Sequence, residues 1–451
     1  MENQRHLLKR LFNSFKPFEP LLPDSPVYVD CREVRGDGDV ITDLAINIEF
    51  SDDNTCQLYA GHRGAGKSTE LLRLKEYLEN QGYFVVYFAA DENDINPEDT
   101  EYVDILLACT RHLLEKLKKA NPQPLLDWLK ARWEDLKDLA TTEISLESLT
   151  VESQISQYAK LTAQIRTEPT LRKKIRDRVN PYTESLIDAV NTFIRDAKNK
   201  LESGSKLVII ADNLDRIVPI VQPGGRSNHD EIFLDRSAQL KGLDCHIIYT
   251  IPISMVYSNK APNLKVEYDE PQVLPMIMVE TREGEVYELG VAKVREIIDR
   301  RVKEVKSDLS LETDLFESGE VLDKICLMSG GHVRDLMFLM QSVIKRAGGK
   351  LPISARVVQR AITEARVPYK RSVQEEEWQV LANVFRDKYV LNNQQYRDLL
   401  FNRCLLEYVY FDVEGEKQVW YDVHPLIRGL QNLQDLVQWR EKELFGKRIF
   451  R

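Results

Sequence analysis

The sequence is poor in glycine and proline, with 20 and 18 among 451 residues, which excludes a fibrous or low-complexity protein. It also lacks any run near the roughly eighteen consecutive apolar residues that are needed to span a bilayer, so a membrane-spanning protein is not expected. The N-terminal segment has no apolar block followed by small residues and does not resemble a secretory signal. We therefore expect a cytoplasmic protein.

Cysteine is also scarce, and positive charge is outweighed by negative charge. No C-x-x-C pair and no histidine at zinc-ligand spacing accompanies the six scattered cysteines, which excludes a disulfide framework and a zinc site. The formal net charge is −10, so the field of the whole molecule repels nucleic acid. Any nucleic-acid binding would need a local basic patch.

What the sequence does have is enough apolar side chain, 43% of residues, for several hydrophobic cores. From Cys56 onward, short β-branched runs alternate with helical patterns, and such runs are typical of buried parallel strands. We therefore predict an α/β core with a doubly wound parallel sheet, followed by an all-α domain and then a helix–helix–hairpin pattern typical of a winged helix. The predicted boundaries are an N-terminal arm at 1–55, the core at 56–284 with a helical insertion at about 119–179, the all-α domain at 285–368 and the winged-helix domain at 369–451.

A glycine-rich turn between the first apolar strand and an amphipathic helix matches the pattern G-x-x-x-x-G-K-[ST]. Its glycines let consecutive main-chain N–H groups face phosphate oxygens, and the N-terminus of the next helix adds positive charge. We expect Lys67 to reach the β- and γ-phosphates, Ser68 to bind Mg²⁺ and Thr69 to support the adjacent phosphate. The predicted nucleotide-binding residues are Gly61, His62, Arg63, Gly64, Ala65, Gly66, Lys67, Ser68 and Thr69.

A phosphate loop of this kind needs an acid on a neighbouring strand for the metal ion. The apolar strand 207–212 ends in Asp212, which we predict as the Mg²⁺ carboxylate. Three residues later, Asp215 can lie at the same mouth of the sheet and polarise the attacking water. The alternatives are a strand-end or helix-cap role for Asp212 and a cap or salt bridge for Asp215.

The pair of segments GHRGAGKS and LVIIADNLDR resembles the AAA+ and STAND division of P-loop ATPases, including its KAP-type and initiator-type members. The resemblance implies ATP or ADP with Mg²⁺ as cofactors, a helical lid for residues 285–368, and coupling of ATP state to assembly or partner release. Many AAA+ enzymes carry a glutamate directly after the metal aspartate, where this chain has Asn213. The later acid Asp215 suits a STAND-like, slowly hydrolysing switch better than a fast motor.

The same resemblance implies two sensor residues. Thr250, at the end of the strand 246–250, would contact the γ-phosphate, and Arg334, at the start of a lid helix, would report whether that phosphate is present. A turn cap for Thr250 and a surface ion pair for Arg334 are the alternatives. Arg236 and Arg282 are both candidates for an arginine supplied across a subunit interface.

The most basic run of the chain is 171–178, with five cations and one acid, and Arg172, Lys173 and Lys174 are its candidates for contact with a phosphate backbone. A solvated helix face is the favoured interpretation. Residues 371–451 contain 12 Lys and Arg against 13 Asp and Glu, and the hairpin tip 412–416 is acidic. We therefore predict protein contact for the winged helix, in which Trp378, Tyr408, Tyr410, Trp420 and Tyr421 are expected to form a small core and to leave some surface for another domain.

The leading hypothesis is an ATP-binding AAA+/STAND-type switch, a weak Mg²⁺-dependent ATPase that couples nucleotide state to self-assembly or to a protein partner on another chain. Nucleic acid is not favoured as a partner, and no membrane partner is expected. The main alternative is a DNA-associated initiator- or loader-like ATPase that acts through the winged helix. A third possibility is a pseudo-ATPase that uses nucleotide as a structural staple.

Overall fold

A computed structural model describes residues 2–36, 38–137, 151–201, 206–221, 223 and 225–438. The predicted helical insertion and the predicted C-terminal domain each extend into a segment outside the described residues, 138–150 and 439–451 respectively. None of the helices in the described part of the chain is both long enough and apolar enough to cross a bilayer.

Within the described residues, seven strands form two sheets: β1 (Cys56–Gly61), β2 (Phe84–Ala89), β3 (Leu207–Asp212), β4 (His246–Thr250), β5 (Gln272–Leu274), β6 (Leu405–Phe411) and β7 (Lys417–Val423). The α-helices that precede the all-α domain are α1 (Glu2–Ser14), α2 (Val40–Glu49), α3 (Lys67–Asn80), α4 (Ala90–Asn93), α5 (Tyr102–Lys116), α6 (Gln123–Lys137), α7 (Val151–Thr167), α8 (Pro169–Val179), α9 (Thr183–Lys200), α10 (Asn228–Asp230), α11 (Ser237–Leu240), α12 (Ile253–Val256) and α13 (Ala261–Tyr268). Those that follow are α14 (Glu288–Val305), α15 (Gly319–Met328), α16 (Val333–Ala347), α17 (Ala355–Ser372), α18 (Glu377–Asp387), α19 (Gln394–Phe401) and α20 (Pro425–Arg428). Short 3₁₀ turns lie at Arg32–Arg35, Asn180–Tyr182 and Leu214–Arg216, and π-helical turns at Glu231–Asp235 and Leu311–Leu315.

The larger sheet has the strand order β2-β3-β4-β1-β5, and every pair in it is parallel. All five carboxyl ends therefore meet at one edge, which is where ligands of open α/β sheets bind. In this order β4 separates β1, which leads into the glycine-rich turn, from β3, which ends in Asp212. The α/β core, the helical domain that follows it and the helix–helix–hairpin module confirm the predicted fold class.

Alternate residues of the buried strands feed two separate cores. Leu207 and Ile209 pack among helices α5 and α9 on one face of the sheet, whereas Val208 and Ile210 pack with helices α2 and α3 on the other. This period of two is what a strand with both faces covered requires. The continuous β-branched runs seen in the sequence follow from it, because neither face can carry polar side chains.

The winged helix is built into the rest of the molecule. Tyr408 and Trp420 stack at 4.6 Å and join the sheet-face core of α2 and α3, while Trp378 and Tyr421 join the core of the helical lid. These aromatic side chains do contact other domains, as predicted, but they belong to two cores and not to one small core of the module. Its large side chains are shared between two neighbouring domains, since a module of this size buries too little surface by itself.

Candidate nucleotide-binding site

The glycine-rich turn joins β1 directly to α3, and its conformation depends on glycine. Gly64 and Gly66 have φ of 94° and 114°, backbone angles that residues with a side chain rarely adopt. A Cβ on Gly64 would lie 2.7 Å from the Cβ of Arg334 in the lid. The turn is therefore both curled and in close contact with the lid helix α16.

Lys67 is buried at the start of α3, with all three of its N–H groups engaged. Its Nζ donates to the main-chain oxygens of Gly61 at 2.8 Å and His62 at 3.1 Å, and it lies 2.9 Å from Oδ2 of Asp215. The side chains of Lys67 and Asp215 are only 5% and 4% exposed. The ammonium group is therefore held over the turn, with Asp215 as its counter-ion.

Asp212 lies at the carboxyl end of β3, and its side chain is buried. Its Oδ2 accepts a hydrogen bond of 2.8 Å from the hydroxyl of Tyr87, and Oδ1 accepts one of 2.6 Å from the main-chain N–H of Asn213. Burial and the charge of Asp215 raise the pKa of Asp212, and hydrogen bonds from Ser68 and Tyr87 oppose this shift. A cation beside Asp212 would relieve the cost of burying its charge.

These residues fit a magnesium ion that is held largely by phosphate and water. No cluster of three or more His, Cys, Asp or Glu side chains that could hold a metal occurs among the described residues. Mg²⁺ does not need one, because it keeps several waters and takes one or two protein oxygens together with substrate phosphates. Ser68 and Asp212, the two predicted ligands, are near enough to share a hydrogen bond.

Thr250 lies at the end of β4 and is fully buried. Its hydroxyl accepts a hydrogen bond of 2.9 Å from the main-chain N–H of Leu214 and lies 3.5 Å from the main-chain oxygen of Ala211. In this arrangement the threonine fixes the turn that follows β3 and so positions Asp215. Its predicted contact with a γ-phosphate stays a prediction.

Arg334 lies in the first turn of the lid helix α16, and its main-chain N–H donates to the oxygen of Gly64 at 3.1 Å. Its Nε donates to the main-chain oxygen of Pro17 at 3.1 Å. Burial, together with the neighbouring cations Arg216 and Arg403, lowers the pKa of Arg334 to about 10. An anion in the cleft would stabilise the charged guanidinium of Arg334 and raise its pKa again.

His332, the residue directly before α16, forms a hydrogen bond between the lid and the glycine-rich turn. Its Nδ1 accepts the main-chain N–H of Asp335 at 3.2 Å, which caps the helix, so Nε2 carries the proton and donates to the oxygen of Arg63 at 2.8 Å. His332 therefore caps α16 and also bonds it to the glycine-rich turn.

Two residues of the glycine-rich turn are bonded to the winged helix, which the sequence did not indicate. Nε2 of His62 accepts the main-chain N–H of Glu407 in β6 at 3.1 Å. The guanidinium of Arg63 lies 4.3 Å from the ring centroid of Phe401 in α19 and donates to its main-chain oxygen at 3.2 Å. Burial lowers the pKa of His62, so the ring is neutral, as its acceptor role requires.

The turn opens onto a cleft of about 720 Å³ between the core, the N-terminal arm and the lid. Phosphate-loop residues Arg63 to Thr69 are part of its lining. Apolar side chains of the arm, the segment after β5 and the lid also line it: Val27, Val29, Cys31, Ile277, Ile297 and Met337. The arm is tied to the turn where the main-chain N–H of Leu21 donates to Oγ1 of Thr69 at 3.1 Å.

The basic run and the two interface arginines have definite positions. Arg172 and Arg176 are 2% and 5% exposed, and they form ion pairs of 2.6 Å and 2.7 Å with Asp99. The prediction of a solvated helix face is therefore wrong for these two, whereas Lys173, Lys174 and Arg178 of the same run are exposed. Arg236 lies 4.9 Å from the ring centroid of Tyr102, and Arg282 is exposed.

No known family model and no curated protein matches this chain. Among solved structures, the ORC2 protein of Aeropyrum pernix, in complexes with ADPNP and ADP, is similar at 11% identity and a TM-score of 0.42, with 95% of this chain and 98% of that chain covered. Cdc6p from Pyrobaculum aerophilum is similar at 12% identity and a TM-score of 0.40, with the same shares covered. A Walker-type ATPase of Pyrococcus abyssi is similar at 11% identity and 0.42, with 93% and 99% covered.

At these identities and TM-scores, neither activity nor partners transfer from those proteins to this chain. The chain's own features carry the assignment of fold: the parallel sheet order, the glycine-rich turn between β1 and α3, the helical lid and the winged helix. Its architecture is a P-loop α/β core followed by a helical domain and a winged helix.

Proposed function

We propose that the chain is an ATP-binding molecular switch that hydrolyses ATP slowly and couples nucleotide state to the position of its winged helix. The observation that carries this proposal is that the phosphate loop is itself bonded to the winged helix, through His62 and Arg63. The same loop is bonded to the lid through Gly64 and the oxygen of Arg63. A change in the loop on nucleotide binding would therefore act directly on both the winged helix and the lid.

In this proposal the phosphates lie against the main-chain N–H groups of Gly64 to Ser68, where the curled loop and the N-terminus of α3 favour negative charge. Ser68 and Asp212 would hold Mg²⁺, which neutralises developing charge on the phosphates during transfer. The apolar side chains that line the cleft suit a flat base, and Tyr28 and Arg301, which also line it, would give that base polar contacts.

Slow hydrolysis is proposed because of the environment of Asp215. While its carboxylate is paired with Lys67, the carboxylate is not free to polarise water. When the phosphates attract Lys67, Asp215 is released to orient the attacking water. Asn213 has no charge with which to take over that role, so one carboxylate must serve first as a counter-ion and later as a base.

The output would be self-assembly or contact with a protein partner on another chain. The hairpin that would be released has an acidic tip at 412–416 and exposed apolar side chains at Phe411 and Val413. Acidic and apolar groups together suit a protein surface better than a phosphate backbone. The cytoplasmic location expected from the sequence stays a prediction.

The alternative is a DNA-associated initiator- or loader-like ATPase. The solved structures named ORC2 and Cdc6p belong to that type and not to the STAND type, and they share the AAA+ architecture of this chain. Two features favour the switch: Arg172 and Arg176 are buried in ion pairs, and the hairpin tip is acidic. The alternative would have to rely on Lys173 and Lys174, which are exposed.

The proposal is tested by calorimetric titration with ADP and with a non-hydrolysable ATP analogue, followed by light-scattering mass with each nucleotide and with analogue plus duplex DNA. Lys67→Ala is the test variant, and Lys75→Ala, at a partly exposed lysine of the same helix paired with Glu79, is its matched control. We expect binding that is lost only in Lys67→Ala, with a mass change driven by the analogue alone. A mass change that needs DNA and falls with added salt would select the initiator-like alternative. Absence of binding in the unaltered chain would refute both.

A further inference from the structure

The cleft contains an arginine that no predicted role accounts for. Arg216 is the last residue of the 3₁₀ turn Leu214–Arg216, directly after Asp215, and it lines the cleft together with Asn213 and Asp215. Its side chain is 32% exposed, so part of the guanidinium faces open space. Its charge is close enough to lower the pKa values of both Arg334 and Arg63, which are already lowered by burial.

A specific set of contacts holds Arg216 in place. Its guanidinium forms an ion pair with Oδ2 of Asp91, which follows β2. The other oxygen of Asp91 accepts a hydrogen bond of 2.7 Å from Nδ2 of Asn213. Asn213 has φ of 65°, a left-handed conformation that asparagine tolerates better than most residues. One acid thus fixes both the arginine and the residue that follows the metal aspartate.

Three other arginines of the core and lid are held by other partners. The guanidinium of Arg63 stacks on Phe401, and Nε of Arg334 is bonded to the oxygen of Pro17. Arg236, one of the two candidates for an arginine supplied by a neighbouring subunit, stacks on Tyr102. Arg216 differs from all three because it is attached to the turn that carries Asp215, at the carboxyl ends of β3 and β4.

We infer that Arg216 contacts the γ-phosphate of bound ATP and stabilises the charge that develops during hydrolysis, so that each chain supplies its own arginine and needs none from a neighbour. The inference rests on the proposed function and adds a catalytic residue to it. Asn213 and Asp91 are positioning residues that hold the guanidinium. An arginine supplied within the same chain is a known solution for GTPases and raises hydrolysis without assembly.

The chemical step is ordinary hydrolysis. The oxygen of water bonds to the γ-phosphorus, and the bond from that phosphorus to the β–γ bridging oxygen breaks, with its electron pair leaving on ADP. Asp215 takes the proton of the water and passes it to solvent. Arg216 donates hydrogen bonds to the phosphoryl oxygens, where negative charge is spread in the transition state.

The test is steady-state hydrolysis of Mg²⁺–ATP by the full chain, with ADP affinity measured on the same preparations. Arg216→Ala should lower kcat by about 100-fold or more, with KM changed by less than about threefold, because the lost contact is made mainly in the transition state. Arg216→Lys should recover little, since an ammonium cannot reproduce the planar fork. Asp91→Asn should lower kcat by about tenfold through loss of positioning. Arg195→Ala, at an exposed arginine paired with Asp244, is the matched control.

A second readout is the specific activity of the unaltered chain across a 100-fold dilution series, which should stay constant if the arginine is supplied in cis. Two results would overturn the inference: kcat of Arg216→Ala within about threefold of the unaltered chain, or specific activity that rises with protein concentration. If Arg216→Ala does not fold, the kcat values of Arg216→Lys and Asp91→Asn test the inference instead. A chain that binds ADP but never hydrolyses ATP overturns this inference alone, whereas a chain that binds no nucleotide refutes the proposed function itself.

Discussion

Nζ of Lys67 lies 2.9 Å from Oδ2 of Asp215, and both side chains are almost wholly buried. This ion pair occupies the loop in which the phosphates would bind. In the proposed function, nucleotide would replace Asp215 as the partner of the ammonium group, and the released acid would orient the attacking water. The carboxylate of Asp215 would therefore connect nucleotide binding with hydrolysis, first as the counter-ion of Lys67 and then as the group that orients water.

Asp215→Asn should destabilise the chain in the absence of nucleotide, because it leaves the buried charge of Lys67 without its counter-ion. The loss should be about 3 to 5 kcal/mol in the free energy of unfolding. ADP should restore much of it, so the ADP-induced rise in denaturation midpoint should be larger than in the unaltered chain. Urea or thermal unfolding with and without ADP measures both quantities. Asp244→Asn, in an exposed pair, is the control; unchanged stability together with an unchanged ADP effect would contradict the prediction.

His62→Ala should loosen the winged helix without removing nucleotide binding. The main-chain N–H of Glu407 would lose its 3.1 Å acceptor, which leaves a buried donor unpaired and costs about 1 to 3 kcal/mol. Hydrogen exchange of the β6 amides, read by mass spectrometry of the peptide that contains them, should become faster. His6→Ala, at an exposed histidine of α1, should change nothing. Unaltered exchange in β6 would show that the contact does not hold the hairpin.

Glu407 should make stability depend on pH near neutrality. Burial raises the pKa of its carboxyl from 4.5 to about 7, and the hydroxyls of Tyr257 and Tyr421 only partly offset the shift. Between those two values the native state holds a proton that the unfolded chain has lost, so the free energy of unfolding falls as pH rises and levels off above about 7. The contribution is about 3 kcal/mol over the whole range.

The measurement is urea unfolding of the unaltered chain and of Glu407→Gln from pH 5 to pH 8. The difference between them isolates this group, because other titrating groups affect both chains alike. It should shift in favour of the glutamine variant as pH rises. A difference that is constant across the range would mean that Glu407 does not titrate there.

Arg176→Ala should destabilise the chain by about 3 to 5 kcal/mol, because the buried carboxylate of Asp104 would lose the guanidinium whose Nε lies 3.1 Å away. Lys174→Ala, two residues earlier on the exposed face of α8, should stay within about 0.5 kcal/mol. Denaturant midpoints measure the contrast. Equal, small effects of both substitutions would mean that the run is a solvated face throughout, as the sequence alone suggested.

The sequence predicted the elements that a local pattern determines. The glycine spacing of 61–68, the apolar strand that ends at Asp212 and the helix–helix–hairpin order all depend on residues close together in the chain, and the structure has each of them. Position within a strand also predicts that Asp212 and Thr250 end at the same edge of the sheet, since parallel strands share one carboxyl edge.

What it could not predict depends on residues far apart in the chain. The bond from His62 to Glu407 joins residues 345 positions apart. The glycine-rich motif leaves the identity of His62 open, and nothing in the neighbouring sequence indicates that it contacts the winged helix. The burial of Arg172 and Arg176 likewise depends on Asp99 and Asp104, more than 65 positions earlier. The sequence predicted an N-terminal arm at 1–55, but only the fold brings Val27 and Val29 of that arm to the cleft.

The central claim is that nucleotide in the cleft moves the winged helix relative to the core. It is tested most directly by the distance between spin labels on cysteines introduced at Val413, on the exposed hairpin tip, and at Val266, on the exposed face of α13 in the core. Five of the six native cysteines are buried and the sixth is only partly exposed, which favours labelling at the introduced sites. With the ATP analogue and Mg²⁺, the account predicts a distance distribution different from that of the nucleotide-free chain, and no such change in the Lys67→Ala variant. The same distribution with and without bound nucleotide would contradict it.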